Sequence, residues 1–222
     1  MNRPRIVAIA AMTVDGKIAD YTGSAARFPS AQDKAHLERL IAQMDGVLLG
    51  ANTLRAYGTS LPIRDRHLLE QRQDQQRPPQ PTHFVCSRSG NIPRDLPFFQ
   101  QPIPRGLVTA QENILQWEGF AGFGQVLPLD PMGSWRSPLE RLWHQGFKTL
   151  GLLGGGELIA SFGEQGFLDE LYLTICPILL GGAAAPTPMG GKGLLQTVGL
   201  QLELLDHQAI ASELFLHYRV RR

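Results

Sequence analysis

Leu150-Gly151-Leu152-Leu153-Gly154-Gly155-Gly156-Glu157-Leu158 sets a short apolar run against three consecutive glycines and then a helix-compatible stretch reaching about Phe162. Three adjacent glycines cost backbone entropy, so a folded chain keeps them where it must turn sharply or approach something closely. Between a buried strand, Leu150–Leu153, and a helix, they expose backbone N–H groups at the positive helix end, a good seat for a pyrophosphate. The pattern is not G-x-G-x-x-G, and no acidic residue ends the next strand as a ribose clamp requires. A tight strand-to-helix turn without a ligand uses the same glycines.

Outward from this stretch, strands alternate with helices. The first strand spans Arg5–Met12, almost wholly apolar, as for a strand covered on both faces. Ser30-Ala31-Gln32-Asp33 reads as a helix cap with an acid three residues on, and Leu37, Leu40, Ile41 and Met44 form its apolar stripe. His36 and Glu38 lie off that stripe and read as solvated. Val47–Leu49 is a second strand, with Gly50 opening a loop.

Residues 64–81, rich in Arg, Gln, Asp and Pro, read as an exposed loop or frayed helix. His83–Cys86, Gly106–Thr109 and Gln125–Leu129 are further strands, and Gln111–Trp117 is a short helix. Ser137-Pro138-Leu139-Glu140 is a helix start with Ser137 as cap and proline at the first helical position. Leu171–Ile175 is a strand, and Leu200–Leu205 with Glu213–Val220 form an antiparallel pair. With no repeat and no composition shift, residues 1–222 read as one α/β domain. Its sheet is mostly parallel, has helices on both faces, and ends in an antiparallel C-terminal pair.

Composition narrows the function. Lys and Arg total 21 against 20 acidic residues, a net charge of +1. That balance gives no reason to expect nucleic acid or a membrane surface as partner. No apolar run reaches the roughly 18 residues of a membrane span, and Ile6–Met12 is too short for a signal core, so the expected location is cytoplasmic. Cys86 and Cys176 match no zinc or redox spacing and read as buried free thiols. The six histidines show no partner pattern.

In an open α/β sheet, ligands bind beyond the carboxyl ends of the strands. Four such ends carry unusual residues: Thr13-Val14-Asp15-Gly16-Lys17, Gly50-Ala51-Asn52-Thr53-Leu54-Arg55, Ser87-Arg88-Ser89, and the tri-glycine turn. Asp15 suits a substrate's polar ring or hydroxyls, or simply a turn. Arg88 and its flanking hydroxyls match the 2′-phosphate of NADPH, or are solvated. Gly50, Asn52 and Thr53 offer flexibility and polar groups to orient a nicotinamide or phosphate.

These segments, in this order, resemble the reductase domain of the bifunctional riboflavin deaminase/reductase, the RibD type. Ala11–Ala19 looks like its opening motif and Val47–Leu54 its second. Leu153–Phe162, Leu168–Leu171 and Pro177–Gly182 resemble its third block. Val85–Arg88 is similar to the adenosine-phosphate segment of dihydrofolate reductases. The resemblance implies a three-layer α/β/α fold, NADPH as cofactor, 5-amino-6-(5-phosphoribosylamino)uracil as substrate, and a homodimer. It implies that Thr13 and Asp15 face the substrate, with Asp15 fixing the ribose chain and assisting proton delivery. Arg64 falls where the family holds the substrate phosphate, and Ser30 is a further substrate candidate that helix capping explains equally well. Gly50, Asn52, Thr53, Ser87, Arg88, Gly154, Gly155, Gly156 and Glu157 would line the cofactor.

Two departures stand out. Ile9 and Leu153 replace charged residues that deaminase-linked members often carry, which points to a less polar ligand, such as a pterin or another small carbonyl or imine. The paired zinc motifs of the deaminase, H-x-E together with P-C-x-x-C, do not occur, because the chain has no P-C-x-x-C. A non-catalytic nucleotide-binding module remains a third reading.

Overall fold

The computed structural model describes residues 1–221. They form two compact units interleaved in sequence: residues 1–5 with 38–151, and residues 6–37 with those from 152 onward.

In the first unit, β2 (Gly46–Gly50), β3 (Thr82–Cys86), β4 (Arg105–Ala110) and β5 (Gln125–Leu129) run parallel in that order. On the far side of β2 from β3 lies β6 (Thr149–Leu152). Val47, Leu48 and Leu49, or Phe84 and Val85, are buried one after another, as strands covered on both faces require. Under the loops, Phe98, Trp117 and Phe123 join Leu54, Val85 and Leu107 in one core cluster. Trp117 and Phe123 meet edge to face at 5.1 Å.

Helix α2 (Ala51–Tyr57) starts directly at Gly50, whose φ/ψ of −68/147 is that of a cap. The loop expected after Gly50 is therefore a helix: Ala51 and Leu54 bury one face, and this packing outweighs the glycine-and-asparagine turn signal. Gln111–Trp117 is likewise not one helix but two short 3-10 turns, Gln111–Asn113 and Leu115–Trp117.

Helix α3 (Arg66–Asp74) occupies the segment read as an exposed loop or frayed helix, and Asp65 caps it by accepting from His67 N and Leu68 N. One residue there is far from exposed. Arg72 is 2% accessible and donates to the carbonyls of Ala42 (2.7 Å), Met44 (2.9 Å) and Pro78 (2.8 Å). Burial pulls its guanidinium down to about 10, so it stays charged at neutral pH. Helix α4 (Arg136–His144) begins one residue before the expected cap, Ser137. The Ser137 N–H donates to Asp130 Oδ2 at 3.0 Å, so a loop carboxylate, not the serine, receives that helix end. Gly146 closes the helix at φ +96.

His83 is fully buried, with Nδ1 2.6 Å from Ser60 Oγ. Burial lowers its pKa to about 3, so the ring is neutral.

In the second unit, β1 (Arg5–Thr13, its first residue in the other unit) pairs parallel with β7 (Glu170–Cys176). Strands β9 (Glu213–Val220) and β8 (Leu202–Ile210) follow antiparallel, as the terminal pair in the sequence foretells. Helix α1 (Ala31–Ala42) begins in this unit and α5 (Gly156–Glu164) lies within it. Ser30 caps α1, its Oγ accepting from Asp33 N at 3.1 Å. His36 is not solvated: its ring meets Phe215 edge-on at 5.0 Å. Both cysteines are free thiols; Cys176 is fully buried and Cys86 only partly. Among the described residues, no helix is long and apolar enough to cross a membrane.

Candidate functional site

In the unit of residues 38–151, two of the sequence-marked strand ends meet. Asn52 stands exposed on the first turn of α2, and its side-chain oxygen accepts from the Arg55 guanidinium, one turn on. Arg55 also donates to the Asn91 carbonyl at 2.6 Å. Arg55 therefore couples the start of α2 to the loop that follows β3. The sequence contains Arg55 in the marked stretch, yet nothing local shows that it reaches 36 residues along the chain.

The β3 loop is rigid in its backbone and open in its side chains. The Arg88 carbonyl accepts from Ala110 N (3.2 Å), Thr109 Oγ1 (3.3 Å) and Asn113 Nδ2 (2.9 Å). Trp117 Nε1 donates to the Gly90 carbonyl at 3.2 Å. Ser87 is buried, while Arg88 and Ser89 are exposed. The guanidinium lies over the 130–133 loop, with Nη2 3.5 Å from the Met132 carbonyl. A Cβ on Gly133 would stand 1.9 Å from that nitrogen. Arg88 keeps most of its donor fork for a ligand, and an exposed fork beside the Ser89 hydroxyl is a donor set that fits a phosphate. Arg64 is exposed just before α3; its N–H donates to Glu38 Oε1, so the carboxylate read as solvated pins this segment.

In the other unit, the Asp15 turn and the tri-glycine turn are joined by residues 177–191. Asp15 accepts from Thr13 Oγ1 (2.5 Å), Leu180 N (3.2 Å) and Gly181 N (2.6 Å). Val14 N donates to Ile178 O, and Ile18 N to Pro186 O. Farther along, Gly190 N donates to Gly156 O (3.0 Å), and Gly191 N to Glu157 Oε1 (3.0 Å). Gly156 is indispensable to this contact: a Cβ there would meet Thr187 O at 2.2 Å. Gly154 serves a different need, φ +95, with nothing within 4 Å of where its Cβ would stand. Open space beside Gly154, at the start of α5, again fits an anionic group. Glu157 is partly spent on holding the 177–191 strap.

The strap was only half visible in the sequence: Pro177–Gly182 belongs to a recognised block, whereas Ala185–Gly191 does not. Its signals were the Gly190-Gly191 doublet and two prolines, Pro186 and Pro188, which mark a shaped loop.

Two side chains are defined by the partners they find. Asp15 is held at about 2, chiefly by the Thr13 hydroxyl and then by the Gly181 N–H. At that value it is an anion across the physiological range and acts as a hydrogen-bond acceptor. Ser30 is fully engaged: its Oγ caps α1 and donates to Glu213 Oε2, and its N–H donates to Glu213 Oε1 at 3.0 Å. Ile9 is buried in β1 beside Tyr172 of β7, and Leu153 half-buried before the glycines.

Comparison with known proteins gives a consistent picture. The model of the RibD C-terminal domain family matches residues 4–216. The 2,5-diamino-6-ribosylamino-4(3H)-pyrimidinone 5′-phosphate reductase of Archaeoglobus fulgidus is 29% identical over 87% of this chain and 90% of that protein. The reductase of the same name from Aquifex aeolicus is 24% identical over 99% of the chain and 98% of that protein.

Among solved structures, a pyrimidine reductase-like protein of Corynebacterium diphtheriae superposes with a TM-score of 0.79. It is 20% identical and is covered to 93% by the whole of this chain. Dihydrofolate reductase of Enterococcus faecalis, solved with NADP(H), gives a TM-score of 0.53 at 14% identity, over 98% of the chain and 97% of that protein. The fold is thus dihydrofolate-reductase-like: a mostly parallel mixed sheet with antiparallel C-terminal strands, flanked by helices.

Proposed function

The chain belongs to the RibD C-terminal domain family and is an oxidoreductase, and from that premise we propose that it uses NADPH to reduce a 6-(ribosylamino)pyrimidine 5′-phosphate to the ribitylamino form. The substrate expected from the motifs is 5-amino-6-(5-phosphoribosylamino)uracil. The 2,5-diaminopyrimidinone counterpart is the second reading, favoured by the names of two relatives that this chain covers almost end to end.

The observation that carries this reading is the strap of residues 177–191, which links the Asp15 turn to the tri-glycine turn. Both turns lie in segments that resemble the family's motifs. The nicotinamide, when bound, supplies a hydride; the protein's task is to bind, orient and exclude water. Arg88, with Ser87 behind it, takes the 2′-phosphate as a planar fork, and Gly50, Asn52 and Thr53 border the same cofactor. Gly154, Gly155 and Gly156 offer N–H groups to the pyrophosphate, with Glu157 steadying the strap. Asp15 holds the opened ribose chain by accepting from its hydroxyls, while Thr13, fully buried rather than facing the substrate as the motif implies, fixes that carboxylate from behind. Arg64 takes the substrate phosphate.

Substrate reduction is tested with purified protein, NADPH and each pyrimidine phosphate in turn, following the loss of reduced-nicotinamide absorbance. Turnover of either pyrimidine supports the reading and identifies the natural one. Turnover of dihydrofolate or another pterin, with neither pyrimidine consumed, overturns it.

A homodimer accompanies this reading. Strand β8 ends the strand order, and Leu202, Leu204 and Leu205 are exposed along it. An exposed apolar edge strand invites pairing with another strand. Light scattering on the eluted protein checks the state; a monomer at micromolar concentration rejects it.

A further inference from the structure

The reduction consumes one proton for each hydride, and Asp15 rests as an anion. One other set of ionisable groups lies at the same end of the same strands. Thr13 and Cys176 are register partners at the ends of β1 and β7. Cys176 Sγ donates to Glu213 Oε1 at 3.6 Å, and Glu213 takes both the N–H and the hydroxyl of Ser30. Ser30 in turn accepts from the N–H of Asp33, whose carboxyl accepts from Thr174. Asp33 and Glu213 are 7% and 6% exposed, and Cys176 is fully buried.

Successive residues of a strand alternate faces, so Thr174 and Cys176 share one face of β7. Asp33 and Ser30 of the α1 end meet that face. Glu213 accepts from three donors, the Ser30 N–H, the Ser30 hydroxyl and the Cys176 thiol, and Asp33 accepts from the Thr174 side chain.

We propose that Asp33 supplies the proton of the reduction, with Ser30 linking it to the Glu213 carboxyl. The inference rests on the reductase reading above. In the step, C1′ of the open-chain imine accepts a hydride while its nitrogen takes the proton, the C=N π pair becoming the new N–H bond. Asp33 is left as carboxylate and is reloaded from water through its residual exposure.

The charge balance around Asp33 favours this. Burial and the neighbouring Glu213 charge both raise its pKa, against the opposing Thr174 hydrogen bond. Other ionisable groups of these elements have partners of their own: on α1, Glu38 Oε1 accepts from the Arg64 and Asp65 N–H groups. On α1, His36 packs on Tyr172 and Phe215. On β7 and β9, Glu170 bonds His217, which stacks on Tyr172 at 3.9 Å. The Cys176 thiol is pushed up to about 12 and stays neutral. Lys17, with Nζ 3.5 Å from the Ala185 carbonyl, is the rival donor in the Asp15 turn.

The first test needs no substrate. The ¹³C carboxyl resonance of Asp33 in wild-type protein should titrate above the ordinary 3.8, and Glu213→Gln should move its midpoint down. A midpoint at or below 3.8, or one indifferent to Glu213→Gln, overturns the proposal.

The second test uses turnover. Asp33→Asn should lower kcat about 100-fold or more, the usual size of a lost general acid, with KM and NADP⁺ affinity nearly unchanged. It should also remove the high-pH limb of the kcat profile. Near-wild-type kcat with the limb intact in Asp33→Asn, or loss of that limb in Lys17→Met instead, overturns it. If wild-type protein reduces neither pyrimidine while the resonance behaves as expected, the reductase reading has failed and not the loaded carboxyl.

Discussion

Replacing Gly156 with alanine tests the strap directly. The new Cβ would stand 2.2 Å from Thr187 O and 3.1 Å from Gly190 N, both backbone atoms, so no side chain can swing aside. The carbonyl must retreat by roughly 1 Å to reach ordinary contact, and that shift also stretches the 3.0 Å Gly190 N–H bond to Gly156 O. Overpacking of this kind costs about 1–3 kcal/mol, and the weakened hydrogen bond about 1 kcal/mol. Alanine's helix preference returns up to about 1 kcal/mol. A net loss of about 2–3 kcal/mol lowers the Tm of a chain this size by roughly 4–12 °C.

Gly154→Ala is the control. Nothing lies within 4 Å of its Cβ, and only φ +95 resists it, for about 1–2 kcal/mol. Scanning calorimetry gives both Tm values, and limited proteolysis reports on residues 183–193. The expected result is that Gly156→Ala melts lower and is cut in the strap, whereas Gly154→Ala resists cutting. A Gly156→Ala protein that melts with wild type and keeps the strap protected would refute the reasoning.

Arg72→Met takes the guanidinium from two buried carbonyls, Ala42 and Met44, and from the carbonyl of exposed Pro78, and urea unfolding should show a loss of about 3–5 kcal/mol; a loss below roughly 1 kcal/mol would mean water replaces the guanidinium freely. Asp15→Asn should lower turnover with little change in NADPH affinity, and unchanged turnover removes Asp15 from the substrate. The same variant has a pH signature. The native carboxyl lies at about 2 against 3.8 unperturbed, so its stabilisation is complete above 3.8 and fades as pH falls through about 2. Wild type should therefore lose its melting advantage over Asp15→Asn between those values; an advantage that persists at the acid end contradicts the assignment. Arg88→Ala should weaken NADPH far more than NADH, and equal effects on both would remove the 2′-phosphate from Arg88.

The parts of this molecule legible in its sequence are those decided locally. The Ser30 cap, the terminal strand pair and the strand–glycine–helix unit each follow from spacing within a few residues. Misreadings arise where a distant residue decides. Ser137 looks like a cap, but Asp130 supplies the acceptor. Gly50-Ala51-Asn52 looks like a loop, but burial of Leu54 makes it a helix. Arg72 sits in a polar run whose composition says exposed, and carbonyls about 30 residues away bury it. In the candidate site, the turns were visible as motifs. The engagement of Ser30 by Glu213 and the Arg55 bridge were not, because each depends on a partner far along the chain; the charge state of Asp15 was not either, because it depends on how the neighbouring Thr13 hydroxyl is turned and then on distant Gly181.

The account stands on hydride delivery to the sugar carbon of a pyrimidine phosphate. Incubation with NADPH carrying deuterium at C4 on both faces, followed by mass spectrometry of the ribitylamino product, measures that transfer. One deuterium at C1′ is the predicted result. A product without it, or a cofactor left unoxidised with both pyrimidines, contradicts the account.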